Sequence, residues 1–405
     1  MFVLTGKSES HERVKLQSSH ESIGGQPSQE RPLQKHPSSS QNQSSAPLHS
    51  LSKWRPYTTL PFAAMLTFAL LLTGCNTANN AGQTLTVLDD QQTTPAEETV
   101  TLTSLDKLDK VYGRTWLSAD ELIINRDNRL LIHNAATGKE TELTPGRKGL
   151  QLLATASPDG KYVYFTEGVP DDRYTIYGYM LNVATGKVSK VGLVDMLNEA
   201  TWADNTHLIS GKAGTGLQMI DVQGQITKLS LQEEHPAENI QWVQQSGSQI
   251  YYLGDDGKGY SVLNRADISK RQAATILTGT MNFDVMPGGK QIAVLQQKWN
   301  SNEPTKLIIV DNNGKMLGTI SEGTLLGRPA WSPDGKLLAF TIYQESQQGM
   351  KGLYIFDQTT GKTTPITSEL QAYNTSIRWN PDGTRLSLYQ EDNGTVTAIV
   401  GIGKK

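Results

Sequence analysis

One cysteine, Cys75, occurs in the 405 residues. A secreted domain held by disulfides needs at least two, so core packing and strand pairing must hold this fold together. Histidine is scarce as well. Beyond Cys75 there are only His133, His207 and His235, and no two of them stand at metal-ligand spacing. Each therefore reads as a surface or turn residue, and neither a metal nor a cofactor is expected. Long apolar runs are missing save one of thirteen residues, 60–72, and the mean hydropathy of −0.42 argues against a multi-span membrane protein. An excess of basic charge is missing too. From Cys75 onward, 30 Lys and Arg stand against 36 Asp and Glu, which speaks against a nucleic-acid partner. No Gly-x-Ser-x-Gly elbow is present, so the nucleophile of an α/β-hydrolase has no place.

The N-terminal quarter reads as export machinery. Residues 1–50 are rich in Ser, Gln and His without apolar periodicity. They are expected to be a disordered extension, or the product of a start codon set too far upstream of a true one near Leu51. Residues 51–74 join a basic cluster, Lys53 and Arg55, to the apolar run, in the manner of a signal peptide. The run ends Leu72-Thr73-Gly74-Cys75, which resembles the bacterial lipoprotein signal. That resemblance implies cleavage before Cys75 and acylation, with palmitate an expected chain, of its thiol and new amine. Each buried methylene then contributes roughly 0.8 kcal/mol to membrane attachment. Residues 75–97, dominated by Asn, Thr, Gln, Ala and Gly, read as a tether on the extracytoplasmic face of the cell membrane.

Residues 98–405 carry an internal repeat. Ala330-Trp331-Ser332-Pro333-Asp334-Gly335-Lys336 matches Arg378-Trp379-Asn380-Pro381-Asp382-Gly383-Thr384 and Thr155-Ala156-Ser157-Pro158-Asp159-Gly160-Lys161. Weaker copies start at Trp116, Trp202, Trp242 and Val285, giving intervals of 40, 46, 40, 43, 46 and 48 residues. A period in the forties is that of a four-stranded propeller blade. The Trp position ends a short inner strand, and Ser-Pro-Asp-Gly turns the chain because Pro presets φ and Gly takes the left-handed site. A second Gly turn recurs as Thr137-Gly138-Lys139, Thr185-Gly186-Lys187, Asn313-Gly314-Lys315 and Thr360-Gly361-Lys362. The fold class is therefore all-β, a β-propeller of about seven four-stranded blades, with six or eight still open. The last repeat lacks an outer strand, and Thr99–Thr103 is expected to supply it and close the ring, hiding two sheet edges.

The Trp, Pro-Asp-Gly and Thr-Gly-Lys pattern resembles the β-propeller repeat of the TolB-like family over about 300 residues. The resemblance implies the fold and does not specify function. That family's propeller has six blades behind an N-terminal α/β domain, for which this sequence leaves no room, so its partners are not carried over.

The Pro-Asp-Gly aspartates and the Asp255–Gly259 and Asp311–Gly314 segments read as turns, and Gly211–Gly216 reads as a hairpin loop, since a phosphate loop needs a following helix. The loops joining the second and third strands of each blade fall on one face, opposite both sets of Gly turns, and differ in chemistry. Asp172 and Arg173 in the second blade, Trp299 in the fifth and Glu345 in the sixth are the candidate partner-binding residues. Trp299 is the one tryptophan outside the repeat and signal positions. The expected function is a non-enzymatic protein- or peptide-binding module of the cell envelope, monomeric and lipid-anchored. The alternative is a propeller enzyme, or a small-ligand or glycan binder, that uses the central channel.

Overall fold

The computed structural model describes residues 99–405 apart from 171, 195–199, 213–215, 232–239, 241, 257–260, 298–302, 324, 344–350, 371–375 and 391–395. Strand β1 (Val100–Asp109) comes first. Blade one follows as β2 (Tyr112–Trp116), β3 (Glu121–Arg126), β4 (Arg129–Asn134) and β5 (Glu140–Glu142). Blade two is β6 (Leu150–Ala156), β7 (Tyr162–Val169), β8 (Asp172–Asn182) and β9 (Val188–Leu193). Blade three is β10 (Thr201–Trp202), β11 (His207–Lys212), β12 (Gly216–Asp221) and β13 (Ile226–Lys228). Blade four is β14 (Val243–Ser246), β15 (Gln249–Asp255), β16 (Ser261–Asp267) and β17 (Gln272–Thr278). Blade five is β18 (Thr280–Val285), β19 (Gln291–Gln296), β20 (Thr305–Asp311) and β21 (Met316–Gly323). Blade six splits its inner strand into β22 (Leu325–Leu326) and β23 (Ala330–Trp331), ahead of β24 (Leu337–Tyr343), β25 (Gly352–Asp357) and β26 (Lys362–Thr367). Blade seven is β27 (Ile377–Trp379), β28 (Arg385–Gln390) and β29 (Val396–Lys404), completed by β1 in the order β1-β29-β28-β27. The fold is thus a seven-bladed propeller whose N-terminal strand closes the last blade.

Why these residues form blades is visible in their alternation. In β3, Leu122 and Ile124 pack toward blade seven while Ile123 packs toward blade two. In β24, Leu337 and Ala339 face blade seven, and Leu338, Phe340 and Ile342 face blade five. Both faces of these middle strands are buried, so they read as continuous apolar runs rather than alternating ones. Seven apolar clusters result, one at each junction between neighbouring blades.

The first turn of the blade is held by its own side chains. Ser332 Oγ donates to Asp334 Oδ1 at 2.7 Å, that carboxylate accepts the Lys336 N–H at 3.0 Å, and Ser332 Oγ accepts the Leu337 N–H at 2.9 Å. Gly335 takes φ of 71°. The Ser157 and Asn380 copies repeat the pattern. The second turn hangs from the last residue of the third strand. Asn182 Oδ1 accepts from the backbone and hydroxyl of Thr185, both at 3.0 Å, and Asn134, Asp221, Asp311 and Asp357 serve in the same way. This Asx head is a repeat signal that the Gly turns alone did not reveal.

Three expectations need correction. The closing strand runs on past the expected Thr103 to Asp109, its polar residues exposed on the rim while Leu105 and Leu108 are half-buried against the apolar clusters on either side of blade seven. Trp242 does not end an inner strand. It precedes β14, and pairing places Gln245 opposite Ile250, where Trp116 faces Leu122 and Trp331 faces Leu338. His133 is no surface residue either. It is buried on β4, with Nδ1 3.2 Å from Glu140 Oε1, and Arg126 holds the same carboxylate.

Candidate functional site

Each inner strand runs toward the Ser-Pro-Asp-Gly turn, so successive antiparallel strands put two connections per blade on the opposite face. On this loop face, the connection between second and third strands spans two residues in blade one, Asp127 and Asn128, both with positive φ. In blades five and six it spans eight. The turn face is uniform by comparison. Asp172 opens β8 on the loop face, is exposed, and accepts the Thr175 N–H at 3.2 Å. Arg173 follows it in the strand, and its side chain lies outside the described residues, as do Trp299 and Glu345. Leu72, Thr73, Gly74 and Cys75 also lie outside them. Asp172 and Arg173 therefore share one hairpin.

The centre of the ring is more informative. The residue preceding the Trp position lies on the inner strand of every blade, and polar contacts from this level stitch the ring together. Trp116, Trp202 and Trp379 donate their indole N–H to the carbonyls of Arg378, Thr155 and Ala330, each in the preceding blade, at 3.1, 3.1 and 2.9 Å. Thr115 accepts the Ala156 N–H at 3.5 Å, and Thr201 donates to the Val243 carbonyl at 2.5 Å. Gln244 accepts the Val285 N–H at 2.7 Å and donates to Asp284 at 2.6 Å. Asp284 in turn accepts the Trp331 N–H at 2.6 Å. Every junction thus carries at least one inner-strand hydrogen bond, so these tryptophans are blade-packing residues.

Asp284 keeps some surface toward the channel, yet the inner strands enclose it. That enclosure pushes its carboxyl up to about 6, against the Trp331 N–H, the Gln244 amide and the Arg378 charge, all of which favour the ionised form. The turn aspartates behave in the opposite way. Burial pushes Asp334 up, but hydrogen bonds from Ser332 and Lys336 outweigh it and hold the carboxyl below the usual range. Their role is structural, as the sequence suggested.

Beside the ring a cavity of about 80 Å³ opens between blades seven, one, two and three. Tyr112, Arg114, Thr155, Tyr164, Arg378 and Tyr389 are among its walls. The Tyr112 and Tyr389 rings pack with centroids 4.9 Å apart and planes tilted by 37°, and the Arg114 guanidinium stands 5.1 Å from the Tyr112 ring centroid. Tyr112 begins β2 and Tyr389 lies near the end of β28, which places this end of the cavity at the loop face. Sequence reasoning missed these residues. Charge one or two residues before a repeat tryptophan, as at Arg378 and Arg114, was the available signal. Among the described residues, no three His, Cys, Asp or Glu side chains gather into a metal-ligating group.

No protein-family model matches the sequence. The Tol-Pal system protein TolB of Alcanivorax borkumensis is 29% identical over 112 residues, 27% of this chain and 25% of that relative. The chain thus spans a quarter of the length of the curated relative it matches. An oligogalacturonate lyase in complex with manganese superposes with a TM-score of 0.52 at 13% identity, over 76% of this chain and 99% of that one. The Cps50 (Swd1) β-propeller domain of Myceliophteria thermophila gives 0.52 at 14% identity, over 75% and 99%. These two likenesses show the propeller fold and no activity. Part of this chain is distantly homologous to TolB, and its fold is a TolB-like β-propeller.

Proposed function

We propose that this chain is a lipid-anchored, extracytoplasmic binding module that presents its loop face to an envelope protein or peptide. The carrying observation is where the chain enters the ring. Thr99 and Lys405 exchange backbone hydrogen bonds of 2.7 and 3.0 Å at the end of the β1–β29 ladder. As the outer strand of its blade, β1 begins on the turn face. A tether from an acylated Cys75 would therefore reach the propeller from the turn side and leave the loop face open. The contrast between uniform turns and unequal loops supports the same face as the binding one, since variable loops on a rigid scaffold are the usual seat of recognition.

The test is photo-cross-linking in cells from Asp172 and Trp299, with Lys187 on the turn face as control. The reading expects one protein captured from the loop positions alone. Equal capture from both faces, or none, would sink it. A Cys75→Ser variant should move the protein from the membrane to the soluble fraction, and retention in the membrane would refute the anchor. A second reading, small-ligand binding in the channel, is favoured by the cavity between blades seven and three.

A further inference from the structure

We propose that the turn face of the propeller rests on an anionic lipid bilayer, held by the lysines at the tips of its turns. This goes beyond the binding-module reading. It rests on that reading for the nearness of a membrane and adds what lies under the other face. The argument starts from charge. The turns that join first to second and third to fourth strands carry eight basic residues against five acids. The segments that join strands at the loop face carry six against thirteen. The molecule is thus polarised from face to face, although its net charge is −3. Salt limits the reach of each face. Strand β3 has six residues and β24 seven, so the two faces stand roughly 20 Å apart. That is more than twice the screening length of about 8 Å at physiological ionic strength. A surface lying against the turns therefore meets their lysines and hardly senses the acids opposite.

Position sharpens the contrast. Asp159, Asp204, Asp334 and Asp382 accept backbone N–H groups of their own turns, and Asp120 pairs with Arg385. The lysines project instead. Lys139, Lys187, Lys290 and Lys315 are exposed, and their ammonium groups have no partner among the described residues. Lys161 does pair with Asp159, yet its side chain is 72% exposed against 22% for the carboxylate. Surface ion pairs of this kind are weak and easily exchanged. The four unpaired lysines stand on blades one, two and five, and Lys336 adds blade six. Charge spread around a ring suits an extended flat surface better than a compact ligand. Apolar side chains accompany it. Ile226, Met316 and Leu317 open the outer strands β13 and β21 directly after their turns, and Met316 is 61% exposed. Lysines beside exposed apolar groups suit the boundary between headgroups and acyl chains, where burial and charge attraction add. With Cys75 acylated, residues 75–98 lead from the lipid to this same face.

Vesicle flotation tests the contact in the full-length chain carrying Cys75→Ser, which removes acylation. Vesicles of phosphatidylglycerol and phosphatidylcholine in equal parts are compared with phosphatidylcholine alone, and the ratio of the two partition coefficients is the readout. Attachment through residues 1–74 is common to every variant, so differences among variants report the turn face. Combining Lys139→Gln, Lys187→Gln, Lys290→Gln and Lys315→Gln should lower the ratio by about fivefold for each lysine that reaches the lipid, about a hundredfold if three do. Lys→Arg at the same four positions should keep the ratio, because it keeps the charge. Lys110→Gln with Lys148→Gln, both on the loop face, should leave it within about twofold. Unchanged unfolding midpoints establish that the variants are folded. A parent ratio near one overturns the proposal, as does a ratio that survives the four Gln substitutions or falls equally in the loop-face pair. Tighter binding to dextran sulfate than to the anionic vesicles also overturns it and assigns the face to a soluble polyanion. The anchor is judged apart, on cell membranes washed in about 1 M salt, which screens charge contacts but does not release acyl chains.

Discussion

Trp116 and Trp331 hold equivalent positions at the ends of β2 and β23 and are buried alike, at 5% and 6% exposure. They differ in one atom's environment. The Trp116 indole N–H donates to the Arg378 carbonyl at 3.1 Å, whereas that of Trp331 has no partner among the described residues. Replacing either with Phe removes a similar volume from a similar core, so the packing losses should nearly cancel between the two variants. What remains is one buried hydrogen bond, and losing its donor strands a carbonyl. Trp116→Phe should therefore cost about 1–2 kcal/mol more than Trp331→Phe in urea unfolding at neutral pH. Equal losses would mean that the tryptophan position acts through packing alone and that the indole latch does nothing for the ring.

The β1–β29 pair decides whether the ring is closed. Its register slips between Leu102 and Ser104, leaving Thr103 as a bulge against Gly401. A Cβ at Gly401 would stand 2.4 Å from Thr103 Oγ1 and 2.5 Å from Ser104 Oγ, so the strands approach this closely only because the residue is Gly. Gly401→Val should force β1 away, at a cost of about 1–3 kcal/mol, with faster amide exchange along 100–109 than elsewhere. Uniform exchange across all blades would place the strain somewhere else. The existence of this closing strand was legible in the sequence, because the last repeat stopped one strand short. Its length was not, because an outer strand on the rim needs no apolar pattern. The phase of blade four was misread for a related reason. Gly247 and Ser248 alone separate β14 from β15, so no Ser-Pro-Asp-Gly turn fixes the count, and Trp242 stood close enough to pass for the repeat position. The channel arginines were hidden more deeply. Inner strands of two to seven residues are too short to show which way a side chain faces, and the walls of the cavity come from four blades far apart in sequence.

At the scale of the whole ring, closure joins the two ends of the described chain. Val100 pairs with Lys404, while every other strand pairing in the ring is made within one blade or between near neighbours. Bringing such distant residues together costs loop-closure entropy before any contact rewards it, and contacts of this kind slow folding. The geometry offers a direct test. Thr99 and Lys405 face each other as a hydrogen-bonded pair, the spacing that a two-residue Asn-Gly turn spans. Moving residues 99–109 behind Lys405 through Asn-Gly, with the preceding segment fused ahead of Val111, turns the longest-range pairing into a local hairpin. The native contacts are unchanged, so the unfolding midpoint should stay close to the parent's. Refolding should quicken, on the order of tenfold or more if closure is the slow step. An unchanged refolding rate would place the barrier before closure, among the blades themselves, where the seven apolar clusters assemble neighbour on neighbour.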